Sequence, residues 1–343
     1  PDVVFLPIRL FEKEDTLHYA YQVIDRGETS IIDFSTSPLF FSHVNAAMFK
    51  TEALRGERFD EQLKISEDAQ FLIKILLKTN CAGWLNDGET FYYLRKRLDE
   101  SSAIDNADST PALYERISIY KNEFENYLRK QGRVPRLVQS SVLYDLHWFK
   151  SPTNDPKMHE IPFDVDQGLK DIAFMVQQID DDLLEQAYLP YWHRAYFKQM
   201  KYGDFHIVSP THSIEPCFFC GDRFFEPLAG TLQIQWVKQN NHRLTVKGFY
   251  VKPSYSDIAL VALFNGRKVT IDTKYSLHND KKYFLGREIF PAMDFELTIR
   301  LPIASNKEKR LCFYFVYQNQ LIPPIRIEHG WTSRFYSGRE CSH

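Results

Sequence analysis

Cysteine is scarce: five in 343 residues are too few for a disulfide scaffold, which fits a cytoplasmic setting. Long apolar runs are missing as well. PDVVFLPIRLF and DIALVALF stop well short of the roughly 20 residues that a membrane-spanning helix needs. Neither sign of charge dominates, with 42 Lys and Arg against 45 Asp and Glu and a formal charge of −3. That balance argues against nucleic acid as the main partner, so any anion site must be local. A second Cys pair is also absent. Cys217 and Cys220 in PCFFCG would be half of a zinc site or a redox pair, but a structural zinc needs two more ligands. Cys312 falls in the apolar run LCFYFVY, and Cys341 and His343 in a polar tail, so unpaired, mostly buried thiols are expected.

What remains is a globular chain with room for about two domains, 44% hydrophobic and 25% charged. Its sharpest chemistry lies between Phe59 and Ala103. In FDEQLKISEDAQFLIKILLKT, Ser66 is a good N-cap, Glu67 and Asp68 fall in the first turn, and Phe71, Leu72, Ile75 and Leu76 recur at helical spacing. The spacing predicts a helix from Glu67. Free N–H groups and the helix dipole at that end favour an ionised Asp68, the state a general base needs. Downstream, FYYLRKRLDESSA predicts a short strand opening into a basic, hydroxyl-rich loop. Alternation puts Arg95 and Arg97 on one face, where guanidinium forks suit a diphosphate and Ser101 and Ser102 fill further acceptor sites.

Together with the earlier HVNAAMFKTEAL, these runs resemble the acceptor-side half of family 2 glycosyltransferases of the GT-A fold. The likeness covers roughly the first 110 residues and is nearest to enzymes that build bacterial wall teichoic acids and capsular polysaccharides. The resemblance implies inverting transfer of a hexosyl or N-acetylhexosaminyl group from a nucleotide sugar to a polysaccharide or teichoic acid hydroxyl. In it the Glu67–Asp68 pair is catalytic, with Asp68 the base by position. Arg95, Arg97, Ser101 and Ser102 would meet the donor diphosphate, and His43 and Asn45 the substrate. It also implies a divalent metal, Mg or Mn, held by an Asp-X-Asp motif that nothing before Ser66 supplies. Pro1 is no initiator and PDVVFLPIRLF reads at once as a buried strand, so the chain is expected to begin in mid-domain, to lack the donor-binding half and to be inactive alone. Asp180, Asp181 and Asp182 read as a solvated stretch of helix.

The predicted organisation is α/β over 1–110, a helical extension or linker over 111–204, and an all-β sandwich over 205–343. YERISIYKNEFENYLRKQG carries the helical pattern, and LKDIAFMVQQIDDDLLEQAYLPYWHRAYFKQ repeats it, interrupted at Pro190. His147 with Trp148 and Trp192 with His193 read as core aromatics of such helices. From about residue 205, short alternating runs separated by turns such as Asn265-Gly266 predict an antiparallel sandwich. Accessory sandwiches in the enzymes it resembles serve oligomerisation or polymer binding, which makes a homo-oligomer through this domain an expectation. Location at the inner face of the membrane as a peripheral protein fits a polymer-building enzyme. The alternative is a non-catalytic polymer-binding or oligomerisation module carrying a transferase remnant.

Overall fold

The computed structural model describes residues 1–18, 29–37, 43–61, 67–98, 109–149, 163–186, 189–203, 205–208, 217–220, 223–227, 231–240, 242–251, 258–276, 282–301, 310–317, 320–322 and 326–329. Mixed helices and sheets make up one unit, Pro1–Phe197, and mostly antiparallel sheets the other, Lys198–His343. Ser66, Ser101, Ser102, Cys341 and His343 lie outside the described residues.

PDVVFLPIRLF is two strands, where the sequence predicts one. β1 (Val3–Phe5) ends at Leu6-Pro7, because proline donates no ladder hydrogen bond, and β2 (Ile8–Glu12) joins a different sheet. Next come β3 (Thr16–Leu17), β4 (Ser30–Asp33), β5 (Ala47–Phe49), β6 (Cys81–Trp84) and β7 (Tyr92–Lys96). One sheet has the order β4-β6-β1-β5 and the other β3-β2-β7. In these two sheets only β1–β6 and β2–β7 run parallel; β1–β5, β4–β6 and β2–β3 are antiparallel, so both sheets are mixed.

Helix α1 (Glu67–Thr79) begins at the residue the capping pattern predicts. Its stripe Phe71, Leu72, Ile75 and Leu76 packs with Val3, Phe5, Ile32, Ala82 and Trp84 of the strands and with Leu137. Leu137 belongs to α3 (Arg136–Leu146), which follows α2 (Ser109–Gln131). In α3 even Gln139, Ser140 and Ser141 are buried, which hides it from any reading based on an apolar stripe. Helix α4 (Val165–Gln177) is capped by Asp164, whose carboxylate accepts from the Gln167 N–H at 3.0 Å, and α5 spans Tyr191–Tyr202.

The aspartate triplet corrects its expectation: Asp180–Asp182 form the turn after α4, not a length of helix. Asp180 and Asp182 clamp the Arg136 guanidinium at the start of α3, at 3.2 and 3.0 Å. His147 and His193 are buried as expected, but Trp148 is exposed.

In the second unit, β8 (Phe205–Val208), β9 (Cys217–Cys220) and β10 (Arg223–Pro227) form an antiparallel meander. The order of a five-stranded sheet is β15-β18-β12-β11-β21, from β11 (Thr231–Asn240), β12 (Arg243–Val251), β15 (Asp272–Tyr275), β18 (Ala292–Arg300) and β21 (Arg326–His329). A four-stranded sheet has the order β14-β13-β19-β20, from β13 (Ala259–Phe264), β14 (Arg267–Val269), β19 (Leu311–Tyr317) and β20 (Gln320–Ile322). β16 (Lys282–Phe284) and β17 (Arg287–Phe290) make a hairpin. Asn265 and Gly266 turn β13 into β14 with φ of 48° and 77°, the two left-handed residues of a tight hairpin turn. Rings of the two larger sheets meet, Tyr250 with Phe315 at 5.4 Å and Phe295 with Phe313 at 5.6 Å. Cys312 is disulfide-bonded, against the expectation of unpaired thiols, while Cys81 is free. Among the described residues no helix is long and apolar enough to cross a membrane.

Candidate active site

Asp68 stands at the head of the buried stripe of α1, because Leu72, Ile75 and Leu76 follow it at i+4, i+7 and i+8 on the same face. Its Oδ1 accepts from the Ala69 N–H at 2.8 Å. First-turn position alone predicts a carboxylate held ionised, and the structure reverses that balance. Burial pushes Asp68 up to about 6, with neighbouring Glu67 adding to the rise and the Ala69 N–H and Arg116 opposing it. A base poised there is ionised at neutral pH yet basic enough to take a proton.

Behind it lies a polar cluster. Arg116 of α2 is 2% exposed, pairs with Asp145 of α3 and lies 4.8 Å from the ring centre of Tyr120, whose hydroxyl also donates to Asp145. Burial raises Asp145 to about 6 against the pull of Arg116, and raises Glu123 against Arg116 and Lys74. Burial also lowers Arg116, though Asp145, Asp68, Glu123 and Glu67 all favour its charge. The guanidinium thus serves as counter-charge to the base and to the carboxylate behind it.

A second group gathers at β2 and β7. Arg95 pairs with Glu12 on the exposed face that also carries Tyr93 and Arg97, and Glu12 accepts from the Leu98 N–H at 3.2 Å. His43 packs edge-on against His18 at 4.8 Å. Burial lowers both imidazoles, and His43 and Lys96 help to bring His18 down to about 4, so both are neutral at pH 7. Asn45 is exposed in a single turn of 3-10 helix, Val44–Ala46, anchored by the fully buried Ala46.

The structure therefore brings Asp68 and Glu67 together with Arg116, and His43 together with His18, which Lys96 also influences. Asp68 bonds to none of Arg95, Arg97 or His43. Sequence reasoning missed Arg116, Tyr120, Asp145 and His18. Arg116 carried a signal: it lies four residues before Tyr120 and eight before Phe124, at the head of a buried stripe. Among the described residues, no group of three or more His, Cys, Asp or Glu is placed to hold a metal ion. The divalent metal that the resemblance implies therefore finds no ligand set there.

No protein-family model matches the sequence. The chain is 24% identical over 260 residues to the minor teichoic acid biosynthesis protein GgaB of Bacillus subtilis (strain 168). The match spans 73% of this chain and 28% of that protein, so the chain corresponds to less than a third of its relative's length.

Proposed function

We propose that this chain contributes the acceptor side of an inverting glycosyltransferase of the family 2, GT-A kind, acting on a teichoic acid or related cell-surface polysaccharide. The observation that carries the reading is Asp68, a half-buried carboxylate in the first turn of α1, held near 6 with Arg116 behind it. Likeness to a teichoic acid biosynthesis protein supports the polymer class. Asp68 takes the acceptor hydroxyl's proton as that oxygen attacks the anomeric carbon of a nucleotide sugar, and Glu67 helps to keep its basicity high. Negative charge then builds on the departing diphosphate, where Arg95, Arg97 and the hydroxyls of Ser101 and Ser102 are the proposed partners. His43 and Asn45 are assigned to substrate contact, His43 as a neutral donor or acceptor. The second unit is read as an accessory sandwich.

Asp68→Asn tests this. In a preparation that transfers sugar, the variant should retain nucleotide-sugar binding and lose about a hundredfold to ten-thousandfold in rate of nucleoside diphosphate release. The parent rate should climb as pH rises through about 6, where Asp68 ionises, and then level off. Near-normal turnover by the folded variant overturns the assignment.

A further inference from the structure

The β-rich unit carries a groove that sugar transfer at Asp68 does not use. It has a volume of about 320 Å3 and opens on the outer face of the five-stranded sheet, across β12, β18 and β15. Alternation along the strands decides its lining. Tyr250 and Phe295 meet the rings of β19 and so point inward, which turns Lys247, Asp294 and Glu296 outward. Thr273 lies opposite Phe295 in the ladder, so Asp272 and Lys274 face outward beside Glu296 and Asp294.

The neighbouring strand is distorted at this place. The register of β11 with β12 slips between Ile234 and Trp236, leaving Gln235 as an extra residue. Regular alternation would turn one of Gln235 and Trp236 inward; the bulge exposes both. Gly248 is what lets the slip fit. A Cβ there would stand 2.0 Å from the Gln233 carbonyl oxygen and 2.8 Å from the Phe295 ring.

The result is an indole, 44% exposed, beside a polar trough. Lys247 Nζ sits 5.7 Å from the Trp236 ring centre and 2.8 Å from Glu296. Asp294 Oδ1, in the wall, is shielded from solvent and receives no hydrogen bond among the described residues. A buried acceptor of this kind calls for a donor from outside. Three carboxylates against two ammonium groups leave the trough at about −1, which disfavours phosphate and other anions. A sugar ring answers each feature: hydroxyls donate to Asp294 and Asp272, accept from Gln235 and Lys274, and the C–H face lies on the indole. The volume is at the small end of ligand sites, which suits one ring.

We propose that this groove binds a single neutral hexose unit of a glycan, with Trp236 as the stacking platform and Asp294 as a hydroxyl acceptor. The proposal is independent of catalysis at Asp68, and binding should be unchanged in Asp68→Asn. The test titrates the chain with methyl α-D-glucopyranoside, methyl β-D-glucopyranoside and methyl N-acetyl-β-D-glucosaminide, reading saturation-transfer NMR and tryptophan fluorescence. At least one should bind with millimolar affinity, saturating its ring protons and altering the emission. Trp236→Ala should weaken it roughly tenfold or more, and Trp236→Phe should restore part of the loss. Asp294→Ala should weaken it while the far-UV circular dichroism stays native. The proposal falls if none of the three glycosides binds, if Trp236→Ala binds as the parent does, or if a glycerol phosphate oligomer binds where the glycosides do not.

Discussion

Arg116 and Arg95 are both arginines paired with a carboxylate, and they occupy opposite extremes of environment. Arg116 and Asp145 are 3% and 10% exposed at the side chain, while Arg95 and Glu12 are 58% and 23% exposed. Around Arg116 burial displaces three carboxyl groups: Asp68 and Asp145 rise to about 6, and Glu123 rises with them. On the β2–β7 face, water screens the pair, as it does Arg9 with Asp15 at 2.9 Å nearby. The same chemical pairing thus sets proton affinities in one place and supplies little more than a water-screened positive charge in the other. A base requires the first kind of surroundings, and a group that meets an incoming diphosphate requires the second.

The largest expected effect comes from breaking the buried pair. Arg116→Met leaves Asp145 without its counter-charge, and loss of one partner of a buried pair costs about 3–5 kcal/mol. Urea unfolding at pH 7 should show that loss, and a smaller one at pH 5, where Asp145 takes up a proton instead. An equal loss from Arg95→Ala would erase the contrast between the two sites.

Much of the α1 region could be read in the chain itself. Spacing placed its start at Glu67 and its buried stripe on Phe71, Leu72, Ile75 and Leu76, since a 3.6-residue period is written directly in apolar residues. In the second unit TLQIQWV, RLTVKGFYV and DFELTIRL are strands because alternation is equally direct, and Asn265-Gly266 marked its hairpin. What stayed hidden depends on long-range partners. Nothing local pairs Arg116 with Asp145, 29 positions apart by subtraction, or says that burial outweighs the helix end at Asp68. PDVVFLPIRLF reads as one apolar strand, and nothing local says that the chain breaks at Pro7 and that its two sides enter different sheets. The bulge at Gln235 left no trace, because TLQIQWV alternates as a regular strand would and the slip is fixed by its neighbour Gly248.

A smaller effect is expected on the exposed face. Arg95→Ala and Arg97→Ala should change stability by no more than about 1 kcal/mol. If these side chains meet the donor, at least one substitution should weaken nucleotide binding by about 1.5–3 kcal/mol, the range for hydrogen bonds to charged groups. Calorimetric titration with a nucleoside diphosphate separates the two quantities. Unchanged affinity in both variants would reduce the face to a solvated strand and leave only the buried site with a chemical role.

The smallest effect is a matter of sign, and it separates Asp68 from His18. Asp68 rises from 3.8 to about 6 on folding, so the folded chain binds its proton more tightly than the unfolded chain does. The stabilisation this gives is complete below about 4 and disappears as pH rises through about 6. His18 falls from 6.5 to about 4, so its contribution is complete above 6.5 and is lost as pH drops through about 4. The two oppose each other between pH 4 and 6.5, and the total stability curve hides both. The difference between the parent and Asp68→Asn removes His18 from the comparison. Measured by urea unfolding, that difference should shift in the parent's favour by about 1 kcal/mol as pH falls from 7 to 4, short of the full two-unit value because water reaches part of the carboxylate. A flat difference would mean that Asp68 titrates as an ordinary surface aspartate, and the argument for a poised base would go with it.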